Sequence, residues 1–88
     1  MPGKPSVSLV IPMYNEELNI EHAIAAAVES LTKYADDYEI IIVDDASTDD
    51  SPAMVRRAAE ENPRIRPIRQ IRGPFPHTTI ELAIVLWH

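Results

Sequence analysis

Residues 40–51 read IIIVDDASTDDS. Four apolar residues run straight into two adjacent aspartates, then into a cluster of hydroxyl and acid side chains. An apolar run without alternation suits a strand covered on both faces, as in a parallel sheet. Its end poses a choice. Either the acids shape a turn and cap a helix, or the strand delivers carboxylates to a ligand. Ser51-Pro52 is a helix start, a capping hydroxyl followed by proline at the first helical position. Met54, Val55, Ala58 and Ala59 supply the apolar stripe of that helix, and Asn62-Pro63 stops it.

The strand itself is predicted over Tyr38–Val43. Upstream of it, Ile20, Ile24, Ala27, Val28, Leu31 and Ala35 recur at helical spacing. This predicts a helix from Glu17 to Tyr34, with Asn15 as its cap and Glu16 and Glu17 placed to suit the helix dipole. Val7–Ile11 is a β-branched run closed by Pro12 and predicts the first strand. Ile65, Pro67 and Ile68 predict the third, with arginines on its exposed positions. The order β-α-β-α-β predicts an α/β fold with a mainly parallel sheet and right-handed crossovers. Residues 73–88 form an atypical apolar tail. Gly73-Pro74-Phe75-Pro76 reads as a loop, and Thr78–Trp87 as an additional strand because it is short and β-branched.

Eighty-eight residues make one small domain, burying roughly 60–65% of the unfolded surface. There is no cysteine, which fits a reducing compartment. No stretch approaches the roughly 20 apolar residues of a membrane span, and the N-terminus lacks the pattern of a signal peptide. The expectation is a cytoplasmic location, or the cytoplasmic face of a membrane for a longer form. The net charge of −6 is uneven: residues 1–55 carry two lysines against eleven acids, residues 56–88 six arginines against three glutamates. An acidic front half argues against nucleic acid as a partner. The run Arg64, Arg66, Arg69, Arg72 reads as the solvated face of an edge strand.

Ligands of open parallel sheets bind outside the carboxyl ends of the strands. Two loops fall there, Pro12–Glu16 and Asp44–Ser47. They offer an aromatic face, an amide and several carboxylates, a set able to stack a base and accept hydrogen bonds from its ring N–H or from ribose. The chain has only Gly3 and Gly73, so it holds neither a dinucleotide fingerprint nor a Walker loop. A nucleotide would be held by its base and ribose, with the diphosphate handled elsewhere, commonly by a metal.

SLVIPMYNEE, then a helix, then YEIIIVDDASTDDS, resembles the opening of family-2 glycosyltransferases of the GT-A fold, nearest to dolichyl- and polyprenyl-phosphate sugar transferases. The resemblance covers about residues 6–70. It implies a partial GT-A, Rossmann-like βαβαβ unit with a three- to four-stranded sheet, residues 1–72 being the nucleotide-binding part. Carried over by position, Pro12, Tyr14 and Glu16 line the nucleoside pocket, Val43 contacts it through its backbone, and Asp45 bonds base or ribose. Asp44, Ser47 and Asp49 shape the turn and cap the second helix. The implied donor is a UDP- or GDP-linked sugar, transferred with inversion to a lipid phosphate or a saccharide.

The family continues with a Gly- and Ala-rich helix and a fourth strand ending in Asp-x-Asp, which holds Mg²⁺ or Mn²⁺ in a complete member. Here RGPFPHTTIELAIVLWH follows instead, with no Asp-x-Asp and no later general base. No metal site and no catalytic residue are therefore expected within this chain, and no cofactor bound by it alone. It reads as an N-terminal fragment or truncated product, inactive by itself. Its tail strand is expected to stop about where the metal motif should start. The rival readings are a small non-enzymatic α/β module that forms a homodimer through the apolar tail, and a receiver-like doubly wound domain. The acids after the second strand suit a receiver; the Pro-x-Tyr-Asn-Glu loop does not.

Overall fold

The computed structural model describes residues 6–70 and 83–87. The elements run β1 (Ser6–Met13), α1 (Ile20–Tyr34), β2 (Asp37–Asp45), α2 (Ser51–Glu61), β3 (Ile65–Gln70) and β4 (Ala83–Trp87). They form one sheet in the order β3-β2-β1-β4. β1 and β3 both pair with β2 in parallel, and β4 joins β1 antiparallel. The α/β class and the βαβαβ order thus stand.

Strand order explains where the core lies. From β1 to β3 the chain steps along the sheet in one direction. Two right-handed crossovers of that kind put both helices on the same face. Leu9, Ile11 and Met13 from β1, Ile40 and Ile42 from β2, and Ile65 from β3 therefore pack with Ile20 and Ile24 of α1 and Val55 of α2. Residues on a strand alternate between faces, so Val10, Pro12, Ile41, Val43 and Asp45 belong to the other one. No helix among the described residues covers it. The expected cover on both faces of β2 is uneven along the strand: Ile40 and Ile42 are fully buried and Ile41 only partly, while Val43 and Asp45 on the face of Ile41 are buried toward the strand's end.

The bounds of four elements move. β2 runs over Asp37–Asp45 instead of Tyr38–Val43. β1 runs through Pro12 to Met13 instead of closing at the proline. Among the described residues its pairs with β4 run from Ser6 to Val10, and its pairing with β2 continues through Pro12 to Met13. α1 begins at Ile20, not Glu17, because residues 16–19 form a turn in which the N–H groups of Asn19 and Ile20 both donate to the Glu16 carbonyl. β3 extends to Gln70; as an edge strand it tolerates Pro67.

The tail strand over Thr78–Trp87 is present as β4 from Ala83; the rest of that segment lies outside the described residues, as does the Gly73 loop. Its direction differs from the implied one. Trp87 pairs with Ser6 and Ala83 with Val10, so β4 ends at the amino edge of the parallel strands. That is the opposite edge from the two loops, not the place where a metal motif would start.

Arg64, just before β3, and Arg66 and Arg69 within it are not simply solvated. Arg64 reaches Asp37, Arg66 reaches Glu39 at 2.8 Å, and Arg69 reaches Asp44 at 2.8 Å. Arg64 also lies over the Tyr38 ring, 4.6 Å from its centroid. The bond from Arg64, helped by the Tyr38 N–H, holds the Asp37 carboxyl below its ordinary range. The Ser8 hydroxyl, then Arg66, does the same for Glu39. A carboxyl with a depressed folded pKa stabilises the fold above its unfolded value, and that contribution is lost as pH falls through the folded value. Stability is therefore expected to decline as pH drops below about 4.5. Thermal melts between pH 7 and 3 check this. Added salt should flatten the decline, since both pairs are exposed.

Candidate functional site at the carboxyl edge

β1 and β2 end side by side, with Met13 opposite Asp44. Tyr14 follows the last residue of β1, and Asp45 is the last of β2. Both loops then pass through the left-handed region, Asn15 at φ 49° and Ala46 at φ 60°. Asparagine tolerates that conformation. At Ala46 the Cβ makes it cost about 1–2 kcal/mol, which the bonds around the turn offset.

Those bonds are numerous. The Ser47 N–H donates to Asp44 Oδ1 at 2.9 Å and closes the turn. The Ser47 hydroxyl oxygen accepts the Asn15 N–H at 3.0 Å. Asn15 Oδ1 accepts the N–H groups of Thr48 at 2.7 Å and Asp49 at 3.3 Å, and Asn15 Nδ2 donates to Thr48 Oγ1 at 3.3 Å. The Glu17 N–H donates to Asp49 Oδ2 at 3.2 Å. Asp49 Oδ1 accepts the N–H and the hydroxyl of Ser51. Burial pushes the Asp49 carboxyl up, but these bonds from Ser51 and Glu17 outweigh it and hold it below its ordinary value.

Asp44, Ser47 and Asp49 therefore build the turn. Two capping assignments change. Ser51 is not the capping acceptor: it is the first residue of α2, is fully buried and gives its hydroxyl proton to Asp49. Asn15 does not cap α1, because its side chain is committed to the other loop. The sequence reading missed this second role. A signal existed in the residue type, since asparagine combines left-handed tolerance with a side chain that bonds nearby backbone.

All five expected nucleoside residues stand at this edge. Pro12 and Val43 are paired on adjacent strands and buried; Tyr14 and Glu16 are partly exposed in the first loop. Asp45 is 1% exposed. A cleft of about 200 Å³ opens at the same edge, lined by Met13, Asp44, Pro52, Arg56, Pro67 and Arg69 among others. It contains none of the five, because strand alternation turns Asp44 toward α2 and Asp45 toward the opposite face. It is also smaller than the roughly 300–1,000 Å³ of typical small-molecule sites.

A divalent metal does not fit the described residues. No group of three or more His, Cys, Asp or Glu among them is placed to hold one. Asp44 and Asp49 already spend their oxygens on the guanidinium of Arg69 and on N–H and hydroxyl donors.

The family model for glycosyl transferase family 2 matches residues 8–77. This chain belongs to that family. The resemblance drawn from the two motifs is thereby established, and so is its Rossmann-like fold. Among curated relatives of this family-2 chain is the undecaprenyl-phosphate 4-deoxy-4-formamido-L-arabinose transferase of Enterobacter sp. (strain 638). It is 34% identical over 91% of the chain and 28% of its own length. Glycosyltransferase AglD of Haloferax volcanii is 40% identical over 68% of the chain and 10% of its own length. An uncharacterized glycosyltransferase of Synechocystis sp. is 41% identical over 76% and 21%. The chain thus spans less than a third of these relatives. No solved structure matches it. No helix among the described residues is long and apolar enough to cross a membrane.

Proposed function

We propose that this chain is the nucleotide-binding half of an inverting glycosyltransferase that uses a UDP- or GDP-linked sugar. The observation that carries the reading is the joined pair of loops at the ends of β1 and β2, bringing an aromatic ring and a carboxylate to one sheet edge. Tyr14 stacks the base. Asp45 accepts a hydrogen bond from the base ring N–H or a ribose hydroxyl, Val43 contributes its backbone, and Pro12 and Glu16 line the pocket. Asp45 is buried before any ligand arrives, so binding requires the edge to open. The acceptor is a lipid phosphate or a saccharide, and the relatives' names favour the former. A lipid acceptor places the work at the cytoplasmic face of a membrane.

Transfer with inversion needs a base to deprotonate the acceptor and a group to stabilise the leaving diphosphate. Neither is supplied by the described residues, so this chain binds without turning over. Calorimetry and NMR titration with UDP and GDP, each with and without Mn²⁺, test this. Binding of one nucleotide is expected without the metal, with shifts at Tyr14 and from Val43 to Ser47. Shifts scattered over α1 and α2 would end the site assignment. Sugar transfer to a polyprenyl phosphate above background would end the claim of inactivity. Sedimentation tests the rival reading, a homodimer through the tail.

A further inference from the structure

We infer that Asn15 is the positioning residue of the nucleoside site, its side-chain amide locking the β1 loop to the β2 loop and so setting Tyr14 against Asp45. The inference rests on the nucleotide reading given above. Asp45 is still held in the sheet, paired with Gln70 of β3, whereas Tyr14 lies past the end of β1, where strand pairing no longer fixes the first loop. Apart from the Glu17 N–H to Asp49 Oδ2, the described bonds that bridge the two loops converge on Asn15. Its Oδ1 takes two backbone N–H groups, from Thr48 and Asp49, and its own N–H goes to the Ser47 hydroxyl. These partners are 32 to 34 residues away in sequence.

Asn15 is itself exposed and adds nothing to the apolar core. Its side chain spans the two loops, and its left-handed backbone turns the chain between Tyr14 and Glu16. Both neighbours belong to the proposed pocket, whereas Asn15 needs no contact with the nucleotide. The requirement is specific. Glycine supplies the backbone conformation and keeps the N–H to Ser47, but lacks the side-chain bridge. Aspartate supplies the two acceptor bonds without the Nδ2 donor. Alanine lacks the side-chain bridge and takes the left-handed conformation only at a cost, as Ala46 does.

That separation defines the experiment. Asn15→Gly and Asn15→Asp are compared with wild type in the intact chain. Three quantities are measured: the Kd for UDP and GDP, exchange protection of the Thr48 and Asp49 amides, and the urea midpoint. Asn15→Gly is expected to lose protection at both amides. It should raise Kd about tenfold, the scale of two lost exposed hydrogen bonds. Asn15→Asp should keep the protection and stay within about threefold of wild type. Asn15→Gly binding like wild type after losing amide protection would overturn the positioning role. So would Asn15→Asp binding as weakly as Asn15→Gly. Thr48 and Asp49 amides that exchange freely in wild type would overturn the bridge itself. Failure of wild type to bind either nucleotide would instead remove the site reading and the positioning role with it, while the amides still judge the bridge.

Discussion

Ile42→Ala is expected to cost about 2–5 kcal/mol, the range for truncating a fully buried aliphatic side chain. A domain of this size has roughly 4–13 kcal/mol in total, so the loss is a large fraction of the whole and the urea midpoint should fall in proportion. Ile42 is fully buried in β2, the strand with a parallel neighbour on each side. It packs in the cluster that joins all three parallel strands to both helices. Its neighbour Ile41 has the same side chain on the same strand but belongs to the helix-free face and is only partly buried. Ile41→Ala should cost less than half as much. Urea denaturation of the two variants compares the faces directly. Equal losses would mean that both faces of β2 are covered alike, as the unbroken apolar run suggests, and would contradict the one-sided placement of the helices.

That contrast shows what the sequence can and cannot disclose. Helices α1 and α2 were legible because Ile20, Ile24 and Val55 sit in stripes of the right period. The run Ile40–Val43 was legible as a strand because it is short and β-branched. Its sidedness was not, since Ile41 and Ile42 are chemically identical and only the crossover direction separates them. Pro12 reads as a stop because a proline in a strand removes a donor; the structure keeps it inside β1, paired with Val43. The direction of β4 was hidden because it depends on the connection through residues 71–82, which carries no decisive periodicity. At the site, the carboxyl-edge acids were legible from strand endings alone. The roles of Asn15 and Arg69 were not, because each acts on a segment more than 20 residues away, and only the register of neighbouring strands reveals the partner.

Arg69 carries the other large effect. Its guanidinium donates to Asp44 Oδ2 at 2.8 Å and to the Ser47 carbonyl at 3.3 Å. The Asp44 side chain is only 7% exposed, while Arg69 is 55% exposed. The pair therefore differs from Arg66–Glu39, in which both partners reach water. Arg69→Met leaves the Asp44 carboxylate inside the protein with the Ser47 N–H as its remaining described donor. A buried acceptor stripped of a charged partner costs about 1–3 kcal/mol, and more where water cannot reach it. Half-exposure of the arginine in wild type keeps the expectation within that range. Arg66→Met should cost a small fraction of it, because water replaces the lost partner. One further measurement separates charge from packing. Asp44→Asn in the Arg69→Met background should recover part of the loss, since the amide needs no cation. Equal losses for Arg69→Met and Arg66→Met at neutral pH would show that Asp44 is solvated in solution. The turn that carries Asp45 would then be held by Asn15 and Ser47 without help from β3.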